Sequence, residues 1–247
     1  MSNRMNLIKA DHDRRLEIPG VPGLVRRPVD IDQSQTGFTS LRTLRIYQFD
    51  AGSVINGHAE EDEVLIVVIA GSIELAMTSD NWSDSHCPFT LAPASNSDNT
   101  ACAAYLPRHA AYRLIARSEA DVAYARATPF GSSPPKLFTP QFQTIAAGVT
   151  VLLEETTYAE RLRLRVVRID ARQDEFALSP INESEAKCDA LVHVRTTPAE
   201  RSATIMTTDA TPTLLDSWDT VAVTPGNSPI LHIAKGSSAL AFIVMAE

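Results

Sequence analysis

The stretch DTVAVTPGNSPILHIAKGSSALAFIVMAE, residues 219–247, decides the fold. Residues 221–224 are short and β-branched, and 225–227 read Pro-Gly-Asn, which is turn chemistry because glycine and asparagine tolerate positive φ. Residues 230–234 and 240–245 are apolar runs of strand length. A proline-glycine turn between two such strands predicts the closing hairpin of a small antiparallel barrel.

The strand that follows this turn has one face with polar residues near it. Side chains two residues apart lie on the same face of a strand, so Ser228, Ile230 and His232 share one face. We expect this face to line the functional cavity.

Composition restricts the class of protein. The 247 residues suffice for one large β domain or two small ones, and the formal net charge of −8 disfavours a nucleic-acid surface, which needs a concentrated basic patch. No apolar run reaches the roughly 18 residues that a membrane helix needs. The N-terminus lacks the apolar core of a signal peptide, and the cysteines are only three and widely spaced. These features predict a reduced, cytoplasmic protein with neither a membrane nor a nucleic-acid partner.

Two pairs of matching segments indicate an internal duplication. LRIYQFDA at 44–51 resembles LRVVRIDA at 164–171, an offset of 120. The strand-turn-strand patterns around Pro107 and Pro225 match at an offset of 118. Similar order and spacing in both halves predict two copies of one structural unit.

The duplicated unit has many short strands, frequent turn signals and little helical periodicity, which is typical of an all-β barrel. We therefore predict two tandem barrels. An N-terminal arm occupies 1–36, a mainly structural first barrel 37–130, a Gly-Ser-Pro linker 131–150, and a second barrel with the active cavity 151–247.

The amino-acid sequences of both halves resemble those of one known family. The segments that carry the resemblance are 36–46 (TGFTSLRTLRI), 63–77 (EVLIVVIAGSIELAM), 104–110 (AYLPRHA), 191–195 (LVHVR), 221–229 (VAVTPGNSP) and 240–246 (LAFIVMA). They resemble the 5-deoxy-glucuronate isomerases of inositol catabolism and their relatives, the 5-keto-4-deoxyuronate isomerases. The resemblance implies a bicupin, that is, two double-stranded β-helix (jelly-roll) barrels. It also implies ketol isomerisation of a sugar acid and a divalent metal in the C-terminal barrel.

The residues at the family's metal-ligand positions differ in this chain. The two paired histidine positions fall at Ile181 and Glu183, the glutamate position near Asp189, and the last histidine position at Ser228. Two carboxylates alone hold a transition metal poorly. We therefore expect no metal and no other cofactor.

The remaining polar residues of the second barrel suggest acid/base chemistry. His193, His232, Glu183 and Asp189 are the candidate catalytic residues, because imidazole with carboxylate is a workable acid/base pair near neutral pH. A histidine on a strand is also commonly a satisfied core residue, and that alternative stays open.

Two further residues are candidates for substrate binding. Arg195 suits a substrate carboxylate because a guanidinium group matches its forked geometry, although a surface charge at a strand end explains Arg195 equally well. Ser228 would present a hydroxyl group from the closing turn.

The first repeat provides a poorer site by the same comparison. Gly52, His58, Glu60 and Glu63 approximate the first cupin motif, and Tyr112 stands at the late histidine position. We interpret the interior of this barrel as packed core and residues 58–62 as a solvated loop.

The leading hypothesis is an isomerase-like bicupin that acts on a sugar acid or related polar carbonyl compound by metal-independent acid/base chemistry. Two alternatives remain: a diverged cupin that tailors a natural product by isomerisation or cyclisation, and a non-catalytic sugar-binding sensor or scaffold. We expect a homodimer or higher homo-oligomer, since exposed sheet edges need covering.

Overall fold

The computed structural model describes residues 5–78, 88–93, 100–131, 133–146, 148–155, 161–171, 176–178, 187–198, 203–206, 212–227 and 229–247. These residues form 22 β-strands, numbered along the chain, and one helix, α1 (Gln33–Thr36). The all-β prediction is confirmed. In the described part of the chain, no helix is long and apolar enough to cross a membrane.

The first barrel consists of a seven-stranded sheet and a four-stranded sheet. In spatial order, the large sheet contains β12 (Lys136–Phe138), β9 (Ala103–Leu106), β6 (Glu63–Ala70), β11 (Ala120–Ala127), β4 (Leu41–Phe49), β3 (Leu24–Asp32) and β2 (Arg15–Glu17). The small sheet contains β5 (Val54–His58), β10 (Ala111–Ala116), β7 (Ile73–Thr78) and β8 (Phe89–Leu91).

The second barrel has the same strand order. Its large sheet contains β1 (Met5–Ile8), β20 (Thr220–Val223), β17 (Asp189–Thr197), β22 (Ser238–Ala246), β15 (Leu162–Asp170), β14 (Val149–Glu155) and β13 (Gln143–Ala146). Its small sheet contains β16 (Phe176–Leu178), β21 (Ile230–Ile233), β18 (Ala203–Met206) and β19 (Thr213–Leu215). The two barrels therefore agree strand by strand with the duplication expected from the sequence.

A β-bulge explains why the sequence offset between the repeats is not constant. Leu44 and Leu164 match at 120, but β4 begins at Leu41 and β15 at Leu162, an offset of 121. β4 accommodates its extra residue at Arg42, which is skipped in the pairing with β11, whereas β15 pairs with β22 without interruption.

The barrels exchange strands. β1, in the N-terminal arm, pairs with β20 of the second barrel, so that Met5 lies opposite Val223. β12 lies in the segment expected to be a linker and pairs with β9 of the first barrel. The arm thus contributes β1 to one barrel and β2 and β3 to the other.

Three apolar cores result from these sheets. One fills the first barrel, one fills the second barrel, and the third lies between the two large sheets. Strands β6, β17 and β22 are buried on both faces for this reason, because one face points into a barrel and the other faces the neighbouring barrel.

Candidate functional site

Strand β17 carries three of the predicted site residues on one face. Asp189, His193 and Arg195 share that face with Leu191, as the alternation predicts. Leu191 belongs to the core between the barrels, whereas Val192 on the opposite face lies in the interior of the second barrel. The expectation that these three residues line the cavity of the second barrel is therefore wrong.

Asp189 is bound by the backbone of the other barrel. Its Oδ2 accepts hydrogen bonds from the amides of Thr39 (2.9 Å), Ser40 (2.8 Å) and Leu41 (3.3 Å). Asp189 is 5% exposed. Asp189 thus fixes the start of β4 to the second barrel.

Glu63 makes the matching contact in the opposite direction. Its Oε1 accepts hydrogen bonds from the amides of Arg161 (2.8 Å) and Leu162 (2.6 Å), at the start of β15. The Tyr105 hydroxyl group donates to Oε2 at 3.3 Å. We call Asp189 and Glu63, with the amides they bind, the reciprocal carboxylate clamps.

His193 is fully buried between the barrels. Its Nδ1 lies 3.0 Å from Thr220 Oγ1, and its ring meets those of Trp218 and Phe242 edge-on or tilted. The pKa of His193 is lowered to about 3, mainly by burial and secondly by the positive charge of Arg195. The imidazole is therefore neutral and enclosed, and a catalytic role for it stays a prediction.

Arg195 links the two barrels. Its guanidinium group lies 3.7 Å from the centre of the Trp218 ring and donates to Asp121 Oδ2 of the first barrel at 3.2 Å. This side chain already has aromatic and ionic partners, so its position favours a structural role over substrate binding.

The other predicted residues of the second barrel divide into two groups. His232 is partly exposed, whereas its neighbours Leu231 and Ile233 belong to the barrel core. The face predicted to line the cavity therefore points outward, an error of one residue in register. Glu183 and Ser228 lie outside the described residues.

The donors at the described ligand positions do not fit the divalent metal that the cupin resemblance implies. In the second barrel, Asp189 is already occupied by three amides. In the first barrel, His58 and Glu60 are exposed and the late position is Tyr112, a phenol. Within the described ranges, no three His, Cys, Asp or Glu side chains converge on a common point.

The first barrel contains a cavity of about 260 Å³ with a mixed polar and apolar lining, which we call the N-terminal cavity. The polar part of its wall consists of Glu17, Thr43, Arg45, Tyr47, Asn56, Tyr112, Tyr124 and Arg126. Residues 16–19 of the N-terminal arm line its mouth. The expectation that this barrel interior is only packed core is wrong at this end.

Two neighbouring strands supply most of this wall. β4 and β11 pair antiparallel, with Arg45 opposite Tyr124 and Thr43 opposite Arg126. The alternate residues of β4, such as Leu44, pack in the core between the barrels. The polar side chains therefore point into the barrel because the apolar ones are needed on the other face.

Aromatic contacts hold the tyrosines of the wall. The Tyr47 ring stacks on Phe49 (5.6 Å between centroids) and meets Tyr124 edge-on (5.4 Å). Tyr112 lies 6.1 Å from Tyr124 and pairs with Gly57, where an added Cβ would overlap the Tyr112 ring. Glycine at this position therefore makes room for the phenol.

Both inner tyrosines are protonated phenols. Burial raises the pKa of Tyr112 to about 12 and raises that of Tyr124 well above its usual value. The buried Tyr124 hydroxyl group interacts with the Tyr112 hydroxyl group, although the contact falls short of good hydrogen-bond geometry. These groups can donate hydrogen bonds or protons at neutral pH, and they are poor bases.

The wall is electropositive although the chain as a whole is acidic. Asp30 accepts from Arg27 (2.7 Å) and Arg45 (3.0 Å), and Arg14 lies 3.1 Å away. Arg14 also approaches Asp11 (3.7 Å).

A second group repeats this imbalance at Asp62. The Asp62 carboxylate lies 2.7 Å from Arg42 and 3.5 Å from Arg126, and Arg126 also donates to the backbone oxygen of His58 at 2.7 Å. Of these charged groups, the guanidinium groups of Arg45 and Arg126 line the cavity itself, together with one carboxylate, that of Glu17.

Sequence reasoning missed this site because it searched for histidines. The available signal was the alternation in LRTLRIYQF, where Thr43, Arg45 and Tyr47 share a face with the apolar Phe49. Tyr124 and Arg126 alternate with alanines in the same way. Arginines and tyrosines on an inward face are too costly to bury without partners or a ligand.

Comparison with known proteins agrees with the architecture. The KduI/IolB family profile matches residues 25–148. No curated protein sequence matches the chain.

Several solved structures are similar over nearly the whole chain. An IolB-like protein from Salmonella typhimurium has a TM-score of 0.71 at 16% identity, over 98% of this chain and 92% of that one. A putative glyoxylate-induced protein from Pseudomonas aeruginosa has a TM-score of 0.68 at 11% identity, over 98% and 89%. An oxalate decarboxylase variant from Bacillus subtilis has 0.69 at 10% identity, over 100% and 78%. At these identities the structures establish the bicupin fold alone.

Proposed function

Since the chain belongs to the KduI/IolB family, we propose that it is an isomerase-like bicupin that acts on a sugar acid or related polar carbonyl compound in the N-terminal cavity. The observation that carries the ligand class is that two guanidinium groups, those of Arg45 and Arg126, line this cavity against a single carboxylate, that of Glu17. An anion with several hydroxyl groups matches a wall of arginines and phenols.

The size of the N-terminal cavity fits such a ligand. A volume of about 260 Å³ corresponds to roughly nine water molecules at about 30 Å³ each. A five- or six-carbon sugar acid fits into such a space.

The proposed chemistry is a proton shift between adjacent carbons without a metal. Glu17, which lines the cavity, takes the proton from the carbon that bears the hydroxyl group, while the Tyr112 phenol donates to the carbonyl oxygen. Glu17 then gives its proton to the carbon of the original carbonyl group, while the original hydroxyl group returns its proton to the Tyr112 phenolate, so the reaction balances without an oxidant or reductant. The high pKa of Tyr112 keeps its proton available for this step.

A non-catalytic sugar-acid-binding protein is the second candidate. Apart from Glu17, the polar side chains of the described wall mainly donate hydrogen bonds, which favours binding over proton abstraction. The two candidates share the ligand class and differ in turnover.

The test compares turnover with binding. Purified protein is incubated in D₂O with a panel of uronates, aldonates and 2-oxo acids, with and without EDTA, and deuterium incorporation is followed by NMR. We expect exchange that survives EDTA and falls at least tenfold in Glu17→Gln and Tyr112→Phe. Saturable binding without exchange would favour the binding protein, and one tightly held transition metal per chain in elemental analysis would contradict the metal-free reaction.

A control variant distinguishes the two barrels. His232→Ala changes a partly exposed residue of the second barrel and is expected to leave exchange intact. Loss of exchange in His232→Ala, with Tyr112→Phe unaffected, would move the reaction to the second barrel.

A further inference from the structure

A cleft of about 560 Å³ crosses one end of the large sheet of the first barrel. Part of its lining is a row of residues that pair directly across four strands. Arg15 on β2 lies opposite Arg26 on β3. Arg26 in turn lies opposite Gln48 on β4, which lies opposite Asp121 on β11. All four residues line the cleft, which we call the ladder cleft.

The cationic end of the ladder cleft holds two like charges on neighbouring strands. Arg15 and Arg26 are exposed, and neither forms an ion pair with a described carboxylate. The Arg15 guanidinium group donates to the backbone oxygens of His12 (2.7 Å) and Arg14 (3.2 Å), which hold it without neutralising its charge. Like charges directly opposite each other in a sheet are destabilising. An anionic group bound between the two arginines offsets this repulsion.

The acidic end of the ladder cleft holds two carboxylates. Asp50 follows the last residue of β4 and Glu119 precedes the first residue of β11, so the two residues are neighbours at the end of the sheet. Both line the cleft, and neither forms an ion pair with a described side chain. Asp121 differs, because its carboxylate accepts from Gln48 at 3.0 Å and from Arg195 at 3.2 Å. The free acidic pair therefore matches a cationic group.

Sheet geometry sets the distance between the two ends. The pairs are two strands apart across the sheet and two residues apart along it, which separates their backbones by roughly 12 Å at about 4.8 Å per strand and about 3.4 Å per residue. The four side chains span part of this distance and leave room for a carboxylate and an ammonium group attached to the same carbon atom. The β2–β3 hairpin adds an apolar wall of Val21, Pro22 and Leu24, of which Leu24 is 61% exposed.

We propose that the ladder cleft binds α-amino acids that carry an apolar side chain. The arginine pair holds the carboxylate, the acidic pair holds the ammonium group, and the apolar wall packs against the side chain. Phe49 lines both this cleft and the N-terminal cavity, so its ring separates the two. The amino-acid site is therefore additional to the site proposed for turnover and does not depend on it.

Three matched probes test the site on the full-length protein. Titration calorimetry measures the binding of L-phenylalanine, of 3-phenylpropionate, which lacks the ammonium group, and of 2-phenylethylamine, which lacks the carboxylate. We expect L-phenylalanine to bind at least about fivefold more tightly than either analogue, since each analogue loses one charged contact in an exposed cleft.

Charge-neutralising variants assign the two ends of the cleft. Arg26→Gln is expected to weaken L-phenylalanine and 3-phenylpropionate about 3- to 10-fold and to leave 2-phenylethylamine unchanged. Glu119→Gln is expected to weaken L-phenylalanine and 2-phenylethylamine by about the same factor and to leave 3-phenylpropionate unchanged. Arg113→Gln, on the exposed face of β10, is the matched control and is expected to bind all three probes like the wild type.

Three results would overturn the amino-acid site. The first is L-phenylalanine binding that is no tighter than the binding of its two analogues. The second is an equal effect of Arg26→Gln and Glu119→Gln on all three probes, in variants that circular dichroism shows to be folded. The third is the failure of every probe to bind at about 10 mM, a concentration at which even a weak site is occupied.

Discussion

Replacement of Asp189 tests the reciprocal carboxylate clamps directly. Asp189→Ala removes an acceptor shared by three backbone amides. The amide of Thr39 belongs to an exposed residue, so water can hydrate it in the variant. The other two belong to the buried Ser40 and Leu41. Two unsatisfied buried amides at about 1–3 kcal/mol each predict a loss of about 3–5 kcal/mol in the free energy of unfolding.

Urea unfolding followed by circular dichroism measures this loss. With an m-value near 3 kcal/mol per molar urea, the midpoint is expected to fall by about 1 M or more. Asp189→Asn keeps one oxygen acceptor but loses the charge, so we expect a loss of only about 1–2 kcal/mol. Glu63→Ala is the matched variant of the other clamp and is expected to behave like Asp189→Ala.

Asp13→Ala is the control for these variants, since Asp13 is exposed and its carboxylate contacts none of the clamp residues. A loss below about 1 kcal/mol in Asp189→Ala would refute the clamp. Unchanged stability together with abolished turnover would instead support the catalytic role predicted from the sequence.

Three further expectations concern the cavity and the buried histidine. Gly57→Ala forces the Tyr112 ring to move, so we expect a loss of about 1–3 kcal/mol in the free energy of unfolding from overpacking and slower deuterium exchange, measured by urea unfolding and NMR. Tyr124→Phe removes a buried hydroxyl group whose contact with Tyr112 falls short of good hydrogen-bond geometry, so the melting temperature without ligand is expected to stay close to that of the wild type; a marked decrease would show that this contact is a strong hydrogen bond. His193 is neutral when folded, with a pKa of about 3, and takes up a proton on unfolding below its ordinary pKa of about 6.5. Stability is therefore complete above pH 6.5 and is lost as the pH falls, by about 2 kcal/mol at pH 5, and His193→Gln is expected to abolish this part of the pH dependence in urea titrations.

The fold was predictable because its signals are local. The matched segments at 44–51 and 164–171 became β4 and β15, and the Pro-Gly turn at Pro225 joins β20 to β21. Alternation also correctly grouped Asp189, His193 and Arg195 on one face of β17.

The location of the site was not predictable from the same signals. In a bicupin, a large-sheet strand has one face toward its own barrel and one toward the other barrel, and both are apolar in strands such as β17. Hydrophobicity therefore cannot tell which face is the interior. For His232, the strand is too short for its sequence to show which alternate positions face the interior. The predicted inward face was therefore wrong by one residue.

The exchange of β1 determines the order in which the chain can fold as it is synthesised. Met5 pairs with Val223, more than two hundred residues later, so at about 5–20 residues per second the first strand waits roughly 10–45 s for its partner. During that interval β2–β12 can form the first barrel, while the N-terminal strand stays exposed. The turn at 225–227 follows directly on the strand that ends this wait, so the second barrel is completed only after β20 has been synthesised.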